Sequence, residues 1–113
     1  MKTYPLGEFE EIVLLAVGAL FDEAYGVAIK EAIEERAHRK VSVGALQSAL
    51  KRMEKKGYLD ARTGEANARR GGKPKRYYTI TAYGKLALQQ SRDVRAELWA
   101  AIPKVALDFN VSS

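Results

Sequence analysis

The chain has 113 residues, 47% hydrophobic and 29% charged, which suits one globular domain with a modest core and excludes a disordered segment. It contains no cysteine, so disulfide and thiolate chemistry are excluded, and no apolar run approaches the ~18 residues needed to span a bilayer. The net charge of +5 conceals an asymmetry: residues 36–85 carry fourteen Lys and Arg against three acids, a net of +11, while the remainder carries five against eleven, a net of −6. A segregated positive patch points to a polyanionic partner, either nucleic acid or a membrane surface. The absence of cysteine fits a reducing cytoplasm, and no signal peptide is expected ahead of the first helical pattern.

Pro5 and Gly7 mark a turn into the first helix. Leu6, Phe9, Ile12, Val13, Ala16, Val17, Leu20 and Phe21 then recur at helical spacing for four turns, with Glu8, Glu10 and Glu11 placed where the helix dipole favours acids. Leu14 and Leu15 widen the apolar surface, so this helix is expected to be covered on more than one side. Asp22-Glu23 interrupts the pattern, and Ala24-Tyr25-Gly26 opens a second helix expected to reach about His38, with Tyr25, Ala28, Ile29, Ala32 and Ile33 on its apolar side.

Ser42 is positioned to cap a third helix, in which Val43, Leu46, Leu50 and Met53 form a predicted buried stripe. Its opposite side holds Gly44, Ser48, Lys51 and Lys55, flanked by Gln47 and Arg52, with no acid among them. Small and polar residues followed by cations suit a DNA groove, where base edges and phosphates must be met together. Gly57 ends this helix as a left-handed residue.

A strand is predicted from Tyr58 to Thr63, with Leu59 and Ala61 on one face. Its partner spans Arg76 to Thr81, with Tyr78 and Ile80 inward and Tyr77 and Thr79 outward. Between them GEANARRGGKPK is too polar to pack and too long for a tight turn, so it is expected to project as a basic arm. Thr81 caps the last predicted helix, Ala82 to about Ile102. Within it Ala87, Ser91, Val94, Leu98, Ala101 and, beyond, Val105 follow a pairing seam to which Ile102 is adjacent. Pro103 should stop or kink this helix, leaving a short turn ending near Phe109.

Enzymatic chemistry finds no support. His38 is the single histidine, no metal-ligand spacing occurs, and Gly71-Gly72-Lys73 lacks the GxxxxGK[ST] spacing of a phosphate loop. No catalytic residue, metal or cofactor is assigned. The pattern instead predicts a mainly α fold with a two-stranded β wing: a winged helix-turn-helix over residues 1–81, followed by a dimerisation helix and tail over 82–113. In this arrangement Lys40, Lys51, Arg52, Lys55, Arg69, Arg70, Lys73 and Lys75 would meet phosphates, and Gln47 and Ser48 base edges.

The segments LGEFEEIVLLAV, DEAYGVAIKEAIEER, VSVGALQSALKRMEKKGYL and GGKPKRYYTITAYGKLAL together resemble the PadR family of bacterial transcriptional regulators, over roughly Leu6 to Leu88. The resemblance implies a homodimeric repressor that binds an inverted-repeat operator in double-stranded DNA and is released by a small aromatic or drug-like ligand. It matches Ser42, Gly44 and Ala45 to the start of the DNA-reading helix, and Lys75, Arg76 and Tyr77 to the wing strand. Where relatives commonly carry Tyr in the run GALY, this chain has Gln47. The short C-terminal region, with one helix, resembles the compact branch of the family.

Trp99 lies beside the pairing seam, on a flank shared with Leu88, Arg92 and Arg95. It is expected either to pack as dimer core or, with Leu88 and Arg95, to line a ligand pocket between subunits. A winged-helix protein-interaction module that does not read DNA is the alternative function. A membrane-surface role is disfavoured because the cations sit on a compact helix and loop without adjacent exposed Trp or Phe.

Overall fold

In the computed structural model, which describes residues 2–64 and 74–108, the chain forms α1 (Glu8–Leu20), α2 (Gly26–Arg36), α3 (Val43–Lys55), β1 (Leu59–Thr63), β2 (Arg76–Ile80) and α4 (Ala82–Ala101). Short 3₁₀ turns follow α1 at Phe21–Glu23 and α4 at Lys104–Leu107. The fold is mainly helical with one two-stranded antiparallel sheet, as the sequence pattern predicts. The register pairs Leu59 with Ile80 and Ala61 with Tyr78, putting the four predicted inward residues on one face.

α1 is the central helix. Val13, Leu14, Ala16 and Val17 are buried, and α2, α3, β2 and α4 all pack on it. Its acidic first turn does more than complement the helix dipole. Glu8 pairs with Arg39 of the α2–α3 link, Glu10 with Lys56 and Arg52 at the end of α3, and Glu11 with Ser91 and Arg95 of α4. Three successive acids therefore tie α1 to the rest of the helical frame.

Helix ends follow from local chemistry. Ser42 Oγ accepts the Ala45 N–H at 3.1 Å, and Thr81 Oγ1 accepts the Gly84 N–H at 3.0 Å. These are side-chain caps of α3 and α4 at the predicted residues. Gly57 has φ +82° and turns the chain from α3 into β1. α4 begins so close to β1 that a Cβ on Gly84 would stand 2.3 Å from the Tyr58 carbonyl oxygen. That approach makes Gly84 obligatory.

Several expectations are corrected. α1 stops at Leu20, and Phe21, expected on its apolar face, is 79% exposed because the chain turns out into the 3₁₀ segment. α2 ends at Arg36 rather than His38, which takes a left-handed φ of +53° beyond the helix end. Tyr25 is the residue before α2, not part of its apolar face. Val43 is out of the buried stripe at 61% exposed, whereas Ala49 is fully buried within it. The reason is that Val41, ahead of the Ser42 cap, is buried with Leu46 in the positions of a hydrophobic staple, so the first residue of α3 is left outward.

Ala87, expected on the intersubunit seam, is fully buried inside its own chain, because the first turns of α4 lie on the core. Ser91 is likewise engaged within the chain, its hydroxyl donating to Glu11 at 2.8 Å. Of the expected seam residues, the exposed ones begin further on, at Val94.

Candidate nucleic-acid interface

The outward face of α3, the chain leading into α2, and β2 converge on one side of the molecule. The convergence depends on a short backbone pairing ahead of α2 that the sequence does not announce. Ala24 O accepts the Tyr78 N–H at 2.8 Å, and Tyr25 forms an isolated antiparallel bridge with Tyr77. The wing strand is thereby hydrogen-bonded to the start of α2 as well as to β1.

Side chains reinforce this junction. The Tyr25 and Tyr77 rings meet edge to face at 5.7 Å, the Lys75 ammonium lies 4.0 Å from the Tyr25 ring centroid, and the Arg62 guanidinium lies 4.6 Å from that of Tyr77. Cations over aromatic faces at such distances are attracted by the ring quadrupole, by about 0.5–1 kcal/mol each at exposed sites. Lys75 is thus held at the edge of the wing with its charge still exposed. The roles of Tyr25 and Arg62 follow from this contact; the Ala-Tyr-Gly run preceding α2 is their signal in the sequence.

α3 presents Val43, Gln47 and Lys51 as one row, four residues apart, beside exposed Gly44, Ser48 and Lys55. A Cβ on Gly44 would meet nothing within 4 Å, so this part of the helix is open to close approach. Gly26, at the start of α2, faces Gln47: a Cβ there would sit 3.4 Å from the Gln47 Nε2. A cleft of ≈ 310 Å³ runs between these elements, walled by Tyr25, Val27, Val43, Gln47, Lys75 and Tyr78.

The expected phosphate contacts divide. Lys40, Lys51, Lys55 and Lys75 are exposed and in no ion pair among the described residues. Arg52, also in that set, turns toward α1, with Nε 3.4 Å from Glu10, while Arg76, matched to the wing strand, pairs with Glu54 of α3 at 2.8 Å. The first pairing follows from helix geometry, since Arg52 sits on the flank that carries Ala45 and Ala49 rather than on the Gln47 side. The second ties β2 to α3. Arg69, Arg70 and Lys73 lie outside the described residues.

Glu10 is the one buried charged residue in the core of the described chain, 6% exposed. Burial raises its carboxyl pKa, but the Gly7 N–H, Lys56 and Arg52 outweigh that and hold it below the ordinary value. Glu34 is also held low, first by the Val41 N–H and then by Lys30, which fixes the link leading into α3.

At the far end, the groups expected to line a ligand pocket are separated in the single chain. Leu88 and Arg95 border a depression of ≈ 590 Å³ with Leu15, Lys85 and Arg92, and Arg95 Nη2 is 2.7 Å from Glu11 Oε1. Trp99 is one helical turn beyond Arg95 and 65% exposed. Val94, Leu98 and Val105 are exposed as well, at 51%, 64% and 79%, with Ala101 and Ile102 beside them.

A basic helix after a short link, backed by a two-stranded wing and framed by two further helices, defines a winged helix-turn-helix protein. A profile of the transcriptional regulator PadR-like family matches residues 14–90, and the chain belongs to that family. Members of the family are DNA-binding transcription regulators, not enzymes. Among solved structures, a PadR-like transcription factor from Bacteroides fragilis is 27% identical, with a TM-score of 0.67, over 80% of this chain and 82% of that one. A PadR family regulator from Clostridium difficile is 25% identical, with a TM-score of 0.66, over 81% and 92%. A transcriptional regulator from Clostridium thermocellum is 27% identical, with a TM-score of 0.63, over 89% and 91%. A search of curated proteins finds no match.

Proposed function

We infer that this protein is a homodimeric cytoplasmic repressor, binding an inverted-repeat operator and released from it by a small aromatic or drug-like ligand. The observation that carries the DNA-reading part is the outward row of α3 set beside Lys75 and the wing strand. Gln47 and Ser48 lie where base edges would be met, with Gly44 and Ala45 allowing approach, while Lys40, Lys51, Lys55 and Lys75 would hold the backbone on either side. Tyr77 supports the wing through Tyr25 rather than through a free outward face.

Dimerisation is supported by the far half of α4. Val94, Leu98 and Trp99 are exposed on a helix ~30 Å long that meets the core through its first turns, and Val105 is exposed in the short turn that follows it. A chain does not ordinarily leave so much contiguous apolar surface in water, and a second α4 offers a matching seam through Ala101 and Ile102. Residues 1–81 would then carry DNA reading and 82–113 subunit pairing, although α4 is rooted in the core through Ala87. Ligand release rests on Trp99, an exposed flat aromatic near the Leu88–Arg95 depression. A compound bound there would release DNA by favouring a spacing of the two wings that does not fit the operator.

The test is selection of bound DNA from a random pool, followed by salt titration of the selected site. An enriched inverted repeat is expected. Neutralisation of six to ten phosphates by the dimer predicts a slope of log K against log salt of roughly −5 to −9. A pool without enrichment refutes operator reading and favours the protein-interaction module, and a slope near zero refutes the electrostatic part.

A further inference from the structure

Most of the exposed large apolar side chains among the described residues belong to α4 or its continuation, or lie at Leu15 on α1. Three lie outside that grouping: Phe21, in the turn after α1, and the pair Val43 and Val27, which share one cleft. Val43 is 61% exposed at the first turn of α3, and Val27 is 62% exposed at the first turn of α2. They line the same cleft, with Gln47 between the two helices. An apolar side chain at the leading end of the DNA-facing helix contributes nothing to phosphate binding, which cations supply, and nothing to the core, from which Val41 displaces it.

We propose that Val43 is a specificity determinant that takes the 5-methyl group of a thymine in the major groove. The inference rests on the DNA-reading function and adds the base that the site selects. Of the four bases only thymine presents a methyl group in the major groove, and apolar side chains recognise it by removing it from water. Val43 precedes Gln47 by one helical turn, about 6 Å along the axis, against a base-pair rise of about 3.4 Å. With α3 along the groove, the two side chains meet base pairs that are adjacent or next but one. Gln47 supplies the paired donor and acceptor that suit adenine N6 and N7. Each half-site therefore contains a thymine whose methyl packs on Val43, within two base pairs of an adenine read by Gln47. Val27 forms the second apolar wall of the cleft and excludes water from that contact.

The experiment uses the full-length protein and the operator obtained by random-pool selection. Each thymine of the operator is replaced in turn, symmetrically in both half-sites, by deoxyuridine, which removes only the methyl. Affinity is measured for the wild type and for Val43→Ala. At one position deoxyuridine is expected to weaken the wild type about fourfold per half-site, roughly 15-fold per operator, the effect of returning one methyl-sized group to water. Val43→Ala should bind the thymine operator less tightly and should be indifferent to deoxyuridine at that position. The change is at an exposed site, and an unaltered melting temperature checks that the fold is kept. The proposal is overturned if no deoxyuridine position weakens the wild type, or if Val43→Ala retains the same penalty. In either case the enriched operator still stands for DNA reading itself. Failure of the pool to enrich overturns both.

Discussion

Removing the Glu10 carboxylate should destabilise the protein far more than removing the neighbouring Glu8, although both are acids in the first turn of α1 that pair with distant cations. Glu10 is 6% exposed and accepts from the Gly7 N–H at 2.8 Å, from Lys56 Nζ at 2.9 and 3.0 Å and from Arg52 Nε at 3.4 Å. Glu10→Ala removes half of a helix cap and charge-assisted bonds to two cations. Solvent reaches Lys56 and Arg52, so their full charge-pair energy is not lost, and the expected cost is about 2 kcal/mol. For a chain of this size that lowers the melting temperature by roughly 8 °C. The Glu8–Arg39 pair is open to water on both sides, and Glu8→Ala should cost under about 0.5 kcal/mol.

Melting at one fixed protein concentration measures both variants, since the proposed dimerisation would make the midpoint concentration-dependent. The same clamp has a pH signature. Glu10, Glu11 and Glu34 are held below the ordinary glutamate value, so their contribution is present above that value. It is lost as pH falls through the lower native values, where the folded state must take up protons later than the unfolded chain. Wild-type stability should therefore be level from pH 8 to about 5 and fall below 4.5, and Glu10→Ala should fall less steeply over that window. Equal losses for Glu8→Ala and Glu10→Ala, with unchanged acid profiles, would refute burial of the Glu10 clamp as the source of its effect.

Gly84→Ala should destabilise by about 1–3 kcal/mol, because its Cβ meets the Tyr58 carbonyl, whereas Gly44→Ala should leave the melting temperature level or raised and show its effect in DNA affinity. Leu98→Glu should give monomers in sedimentation and lose operator binding; a fully dimeric variant would show that the seam lies elsewhere on α4. Trp99 is the only tryptophan, so its emission reports directly on α4. Planar aromatic compounds that release DNA should shift that emission, and release without any shift would remove Trp99 from the ligand site. Lys51→Ala should weaken binding to all DNA sequences by a similar factor and flatten the salt slope by about one per subunit, without changing the preferred site.

Local rules were enough to read the elements from the residues alone. Ser42 and Thr81 cap their helices because a hydroxyl ahead of a helical run finds an unpaired N–H, wherever that helix is in the fold. The alternation of Leu59, Ala61, Tyr78 and Ile80 sets the inner face of the hairpin, and Gly57 marks the turn before it. Charge segregation likewise marked a basic side, since the count of Lys and Arg does not depend on packing. What no local rule supplies is which neighbour claims a side chain. Ala24 and Tyr25 carry helical spacing, yet their backbone bridges to β2 because α2 begins beside the wing. Arg52 and Arg76 count as basic residues in sequence, but Glu10 and Glu54, both distant along the chain, neutralise them. Ala87 fits the seam by spacing and is buried by α1 instead. Val43 fits the apolar stripe and is turned outward, while Val41, ahead of the Ser42 cap, is buried in the core with Leu46. The helix proposed to read DNA was legible in the sequence; the composition of its outward face was decided by tertiary packing, because burial is a competition among residues for one limited volume.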